Sequence, residues 1–254
     1  MRKIRRTTPA KSDGVKILPR SLLLAAVSSI GFIGFTAVPE SQGAVFNGGS
    51  FTLAGTGTAT PYPGTIDVTG LQTIPGSGNN VTLTLTNFSH TAVSPAGPDD
   101  LDMLLVGPTG ANLIIWSDVG GFGSVGPLTI TLSDAAASFL PISGPLTGGT
   151  FKPTNENTSE ALFPFPSPAP SGSYGNPGPA GTATFGSVFN GTNPNGIWSL
   201  YIIDDTLDAT GQSTTIQSWS LSINSPVIPE PGSATLIAGA ACLLGLVRSR
   251  RRAS

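Results

Sequence analysis

Val81-Thr82-Leu83-Thr84-Leu85-Thr86 alternates apolar and polar residues without a break. A period of two puts Val81, Leu83 and Leu85 on one face of a strand and the three threonines on the other. One face is suited to a core and the other to water, as in a sheet covered on one side. Further candidate strands lie at 66–68, 128–132, 198–203 and 216–223, and 103–106 and 113–116 are unbroken apolar runs. Gly107-Pro108-Thr109-Gly110 separates two of them and reads as a turn, so 103–106 and 113–116 are expected to form a hairpin or a sharp corner. No central stretch sustains a helical apolar period. Seven or more short strands in residues 44–226 predict an all-β antiparallel sandwich or barrel. Residues 141–181 contain nine prolines and seven glycines, which excludes a helix or a central strand there. They are expected to form a surface excursion whose aromatics, Phe151, Phe163, Phe165 and Tyr174, pack back on the sandwich. The alternative is a tolerated insertion without function.

The formal net charge of −2 over 254 residues is an average of unlike parts. Seven of the twelve Lys and Arg residues precede position 44 and four follow 247. Residues 44–226 hold eleven acids and one base, Lys152, for a net −10. Such a segment cannot follow a phosphate backbone, which argues against nucleic-acid binding. One His and one Cys cannot make a Cys/His zinc site of the usual ligand count, nor an intrachain disulfide.

Both ends read as addresses. Seven bases in the first 20 residues precede an uncharged apolar run at 22–38, then Pro39-Glu40-Ser41-Gln42-Gly43-Ala44. This is the order of a secretory signal peptide, with small residues at Ser41 and Gly43 to allow cleavage after Gly43. An uncleaved anchor helix is the alternative, although 17 residues is short for a span of about 20. At the other end, Pro229-Glu230-Pro231 is followed by an apolar run at 234–247 and by Arg248, Arg250, Arg251 and Arg252. This predicts a rigid break, a membrane-embedded helix and a positive cytoplasmic stop. Cys242 reads as a small apolar filler within that helix. Residues 227–254 resemble the PEP-CTERM sorting signal of Gram-negative bacteria. The resemblance implies export and recognition by an exosortase-type enzyme in the inner membrane. Cleavage near the Pro-Glu-Pro motif and release or transfer to the cell surface would follow. A plain tail anchor is the simpler alternative.

The middle segment also carries a resemblance. Ser89-His90-Thr91 and the stretch from Pro98-Asp99-Asp100-Leu101-Asp102 through Gly107-Pro108-Thr109-Gly110 are its first part. Asn190-Gly191-Thr192, Asn195-Gly196-Ile197-Trp198-Ser199-Leu200, Asp204-Asp205, Gly211 and Ser218-Trp219-Ser220-Leu221-Ser222-Ile223 are the rest. In this order they resemble the P (Homo B) domain of subtilisin-like proprotein convertases. That implies a jelly-roll β-sandwich of the galactose-binding-like kind, a domain that accompanies and stabilises a protease domain. No protease domain is expected within these 254 residues. The expected organisation is a signal peptide at 1–43, a sandwich at 44–226 and a sorting segment at 227–254.

Catalysis has little to stand on. A Ser-His-Asp triad would have to use His90, which the resemblance places at a strand end, hydrogen-bonding the neighbouring acidic turn. Lys152 lies in the excursion, and no nucleophile elbow, phosphate loop or dinucleotide fingerprint is present. Paired carboxylates alone would permit a glycosidase. A calcium site is the sharper expectation. Asp99, Asp100 and Asp102 precede one strand, and Asp204, Asp205 and Asp208 follow another. If the strand ends meet, up to six carboxylates converge, which is costly without a cation. Asp is also common at turns, where it bonds local backbone. Trp116, Trp198 and Trp219 sit in apolar strand patterns and are expected in the core, with a carbohydrate platform as the alternative. Tyr174, Phe163 and Phe165 are the better candidates for an exposed contact surface. These features predict an exported, non-catalytic surface or matrix module. Its expected partners, by analogy, are extracellular polysaccharide or envelope proteins. An accessory role toward a separate secreted protease is the second reading.

Overall fold

The computed structural model describes residues 41–93, 96–156, 165–205 and 211–226. The sorting residues Pro229, Glu230, Pro231, Arg248, Arg250, Arg251 and Arg252, both terminal apolar runs, Cys242, Phe163 and Asp208 lie outside them. Among the described residues no helix is long and apolar enough to cross a membrane.

Two mixed sheets face one another in an all-β, sandwich-like fold with almost no helix. In chain order the strands are β1 (Ser41–Asn47), β2 (Phe51–Ala54), β3 (Gly57–Thr58), β4 (Gly64–Val68), β5 (Val81–Thr91), β6 (Leu101–Val106), β7 (Asn112–Ser117), β8 (Val125–Ser133), β9 (Gly149–Phe151) and β10 (Thr154–Asn155). The helix α1 (Phe185–Phe189) follows, then β11 (Gly196–Asp204), β12 (Ser213–Ile216) and β13 (Ser218–Pro226). The first sheet runs β1-β13-β5-β12-β2, with β8 on β5 and β9 on β8. The second runs β10-β7-β6-β11-β3, with β4 also on β11.

β5 carries out its sequence pattern. Val81, Leu83 and Leu85 are buried, while Thr82, Thr84 and Thr86 are half-exposed. On the outer face Thr84 Oγ1 lies 3.1 Å from Thr131 Oγ1 of β8, a cross-strand hydrogen bond. The 216–223 run is two strands rather than one. It breaks at Gln217, whose side chain accepts from Asn87 Nδ2. Asn87 sits at φ 52°, where the β5–β8 register also shifts, so a bulge bends the sheet at this point.

The expected hairpin is present: β6 and β7 pair antiparallel. The purely antiparallel sheet is corrected, because β9 pairs parallel to β8 and β10 parallel to β7. Both short strands belong to the Gly/Pro-rich excursion and flank Pro153. A proline lacks an amide hydrogen, and both strands lie at sheet edges, where that lack is tolerated. Residues 149–155 thus pass from the edge of one sheet to the edge of the other.

The core between the sheets holds all three tryptophans. Trp116, Trp198 and Trp219 are 0%, 0% and 1% exposed, as the strand patterns predicted. Phe88 of the first sheet meets Trp116 of the second at 5.4 Å between ring centres. At one end α1 inserts Phe185 and Phe189, and Phe189 lies 4.9 Å from Trp198. The Asp134 carboxylate accepts from the Phe185 and Gly186 amides at 3.0 and 2.7 Å and so caps the helix start.

A second apolar cluster covers the other face of the second sheet. Leu104, Ile114, Tyr201 and Ile203 point outward there and are covered by Phe165, with Tyr174, Tyr62 and Ala169 packed alongside. The Phe165 and Tyr174 rings meet edge-on at 5.6 Å. Tyr201 Oη donates to the Pro168 carbonyl at 3.2 Å. Phe165 and Tyr174 are therefore packing residues of a cover, which corrects their reading as an exposed contact surface. This explains the unbroken apolar runs of β6 and β7: a strand buried on both faces has no polar side to alternate with.

Candidate functional site

The antiparallel pairing of β6 with β11 brings the two Asp clusters to one end of the sandwich, as the sequence led us to expect. The Asp205 amide donates to the Asp100 carbonyl at 3.2 Å. The carboxylates nevertheless do not all converge. Asp204 stands opposite Leu101, and Asp102 stands opposite Ile203. Directly opposed residues share a face. Asp204 therefore points with Leu101 into the core between the sheets, and Asp102 points with Ile203 toward the covered outer face. Asp204 is 1% exposed and Asp102 5% exposed. Asp204 Oδ2 accepts from Gln212 Nε2 at 2.6 Å. The expected six-carboxylate centre is thus split by the strand period, and Asp208 lies outside the described residues.

What does gather is a different acidic set. A cleft of about 280 Å³ is lined by Asp99, Asp100, Asp118, Glu156, Phe122, Ile142 and Ser143. Its floor is the 3₁₀ turn Pro98–Asp100. The turn is tied to the core because Trp116 Nε1 donates to the Pro98 carbonyl at 3.1 Å. Asp100 folds back to accept from the Gly97 amide at 3.0 Å, which closes the turn. One wall is the glycine-rich loop 118–123. A side chain at position 97 would place its Cβ 2.3 Å from the Gly121 carbonyl oxygen and 2.5 Å from Phe122 Cα. Glycine at 97 is what lets this loop lie on the turn. The Gly120 amide in turn donates to the Pro141 carbonyl at 2.7 Å, and the excursion adds Ile142, Ser143 and Glu156 to the lining.

The electrostatics follow from this crowding. Asp118 is pushed up to about 6, first by burial, then by the charges of Asp205, Glu156 and Asp99, against a hydrogen bond from Ser117. Asp99 is also raised, by burial and then by Asp100. Its Oδ1 is buried and finds no hydrogen-bond partner among the described residues. Lys152, the single base of residues 44–226, sits 5.3 Å over the Phe139 ring and does not line the cleft. Among the described residues, no three His, Cys, Asp or Glu side chains are arranged to hold a metal ion as they stand.

His90 does not bond the acidic turn. Its Nδ1 lies 2.9 Å from Thr214 Oγ1 on the adjacent strand β12, and the ring is 1% exposed. Burial lowers its pKa, and the Asp100 charge opposes that. Nε2 is buried and has no hydrogen-bond partner among the described residues, so no serine hydroxyl is bonded to the ring there.

Sequence reasoning found Asp99, Asp100 and Asp205 through their clustering. It missed Asp118 and Glu156, which stand alone in sequence. The Ser-Asp-x-Gly-Gly pattern at 117–121 was the available signal, since Asp beside glycines marks a left-handed turn. No protein-family model matches the chain, and neither the curated proteins nor the solved structures contain a match to it.

Proposed function

We propose that this chain is an exported, non-catalytic surface or matrix protein, an interaction or structural module sorted by an exosortase-type system. In this reading the sandwich is a jelly roll of the convertase P-domain kind, and the flanking segments are its signal peptide and sorting helix. One observation carries it. Ser41 and Pro226 are opposed residues of β1 and β13, so the first and last described residues stand side by side at one edge. β13 ends three residues before Pro229-Glu230-Pro231.

The acidic cleft lies at the far end of the same sandwich. Along β5, Val81 pairs with Ile223 near the termini, while Thr91 pairs with Ser213 and His90 feels Asp100 at the other end. Ten residue steps of strand separate Val81 from Thr91, about 33 Å at 3.3 Å per residue. A body held to a membrane by its termini would present the cleft outward. The proposal includes Ca²⁺ as the cation that gathers Asp99, Asp100, Asp118, Asp205 and Glu156, drawn by uncompensated charge.

Deleting 229–254 and fractionating cells tests the sorting reading. The truncated protein is expected to leave the envelope fraction, and an unchanged distribution would contradict the assignment. For the cation, a melting temperature that does not move between EGTA and millimolar Ca²⁺ would remove Ca²⁺ from the proposal.

A further inference from the structure

The expected cleavage point lies inside a strand. β1 begins at Ser41, and Ser41, Gln42 and Gly43 stand opposite Pro226, Ser225 and Asn224. The bond after Gly43 is therefore in the middle of a paired edge, with Ala44 opposite Ile223. The partner strand is held firmly on its other side. The Asn224 amide donates to the Asn80 carbonyl at 2.8 Å, and the Pro226 carbonyl accepts from the Gln72 amide at 2.8 Å. Ser225 is buried, and its Oγ donates to the Gln72 carbonyl at 2.8 Å. Along a strand, backbone groups alternate in direction. With 224 and 226 turned toward 80 and 72, Ser225 turns its amide and carbonyl toward Gln42. By the same alternation Gln42 and Ala44 are turned toward β13 and Gly43 toward the open side. A peptidase takes its substrate as a separate extended chain within its own cleft, so a strand paired along one side must open before it is cut.

We propose that the β1–β13 edge is a timing clamp on export: the bond after Gly43 is open to signal cleavage only until β13 pairs with β1. The clamp rests on the reading of residues 1–43 as a cleaved signal. β13 is the last described strand, and in an N-to-C translocation it emerges after all the others. The cut therefore has the whole passage of the body in which to occur. A chain cut in time keeps only Ala44–Asn47 of β1, opposite 220–223. A chain that folds uncut shelters its own cleavage site.

The test uses the full-length chain, folded in detergent micelles, with purified signal peptidase. A synthetic peptide of residues 34–50, which has no β13 to pair with, gives the unclamped rate. The folded chain is expected to be cut at least about tenfold more slowly than the peptide, as for any bond that needs local opening. Gln42→Pro, which removes the amide facing Ser225, is compared with a peptide bearing the same change. Its folded chain is expected to approach its own peptide's rate, with tryptophan fluorescence showing the core intact. Cleavage of the folded wild-type chain at the peptide's rate overturns the clamp. So does a Gln42→Pro chain that stays as slow as wild type. A peptide that is not cut after Gly43 overturns the signal reading itself and takes the clamp with it, which distinguishes the two failures.

Discussion

At Asp118 the backbone adopts φ 53°, a left-handed conformation that Asn and Asp tolerate better than other side chains. Its carboxyl is pushed up to about 6 from an ordinary 3.8. The folded state therefore holds a proton that the unfolded chain has lost. Above the folded value the charge is a net cost to folding. That cost is relieved as pH falls through the window from about 6 to 3.8. Asp118→Asn keeps the turn and removes the charge. It is expected to raise the melting temperature at pH 7, with the gain shrinking to nothing by pH 4. An equal gain at both pH values would refute the electrostatic account. His90 acts with the opposite sign: its lowered pKa means stability is lost as pH falls through the ordinary histidine range. Gly48 is constrained differently. Its amide bonds the Trp219 carbonyl at 2.8 Å, and a Cβ there would lie 2.1 Å from the indole nitrogen. Gly48→Ala is expected to destabilise by about 1–3 kcal/mol in denaturant melts, because the buried indole has nowhere to move.

At the scale of elements, the excursion is structural. Its cover over β6, β7 and β11 rests on Phe165, which is 7% exposed. Phe165→Ala is expected to cost roughly 3 kcal/mol and to increase binding of a hydrophobic dye, since Leu104, Ile114, Tyr201 and Ile203 would meet water. A loss confined to stability, with no added dye binding, would mean the rest of the segment covers the sheet without its anchor. The same element forms a wall of the acidic cleft through Ile142, Ser143 and Glu156. Cover and cleft are thus coupled by one stretch of chain.

At the scale of the whole molecule, charge is arranged by segment. The body carries −10, while eleven of twelve bases lie in the flanking segments. A body of that charge repels itself, and salt screens the repulsion over about 10 Å at 0.1 M. Raising NaCl from 10 to 150 mM is expected to raise the melting temperature of the 44–226 body. Millimolar Ca²⁺ at matched ionic strength should raise it further. Equal effects of the two salts would leave general screening as the whole explanation. Six of the eleven acids, Asp99, Asp100, Asp102, Asp118, Asp204 and Asp205, lie in the turn, strand ends and loop of one end of the sandwich. Glu156 joins them across the cleft.

Much of this architecture was legible in the chain. The alternation at 81–86, the hairpin turn at 107–110 and the core placement of Trp116, Trp198 and Trp219 are local patterns, set by the period of a strand and by turn chemistry. The absence of a central strand from the excursion followed from its prolines, while its short edge strands β9 and β10 were not foreseen. β1, β2 and β3 were not legible, because Gly-, Thr- and Ser-rich chain carries little periodic signal and is ordered by its partners. The partition of the aspartates was decided only by tertiary structure. Asp102 and Asp204 belong to clusters that sequence places together, yet the β6–β11 register turns them to opposite faces. Asp118 and Glu156 enter the cleft from distant points in the chain, carried there by loops that cross the end of the sandwich. Sequence determines which residues can face a core. Register and loop crossing, which depend on packing between remote segments, decide which charges meet.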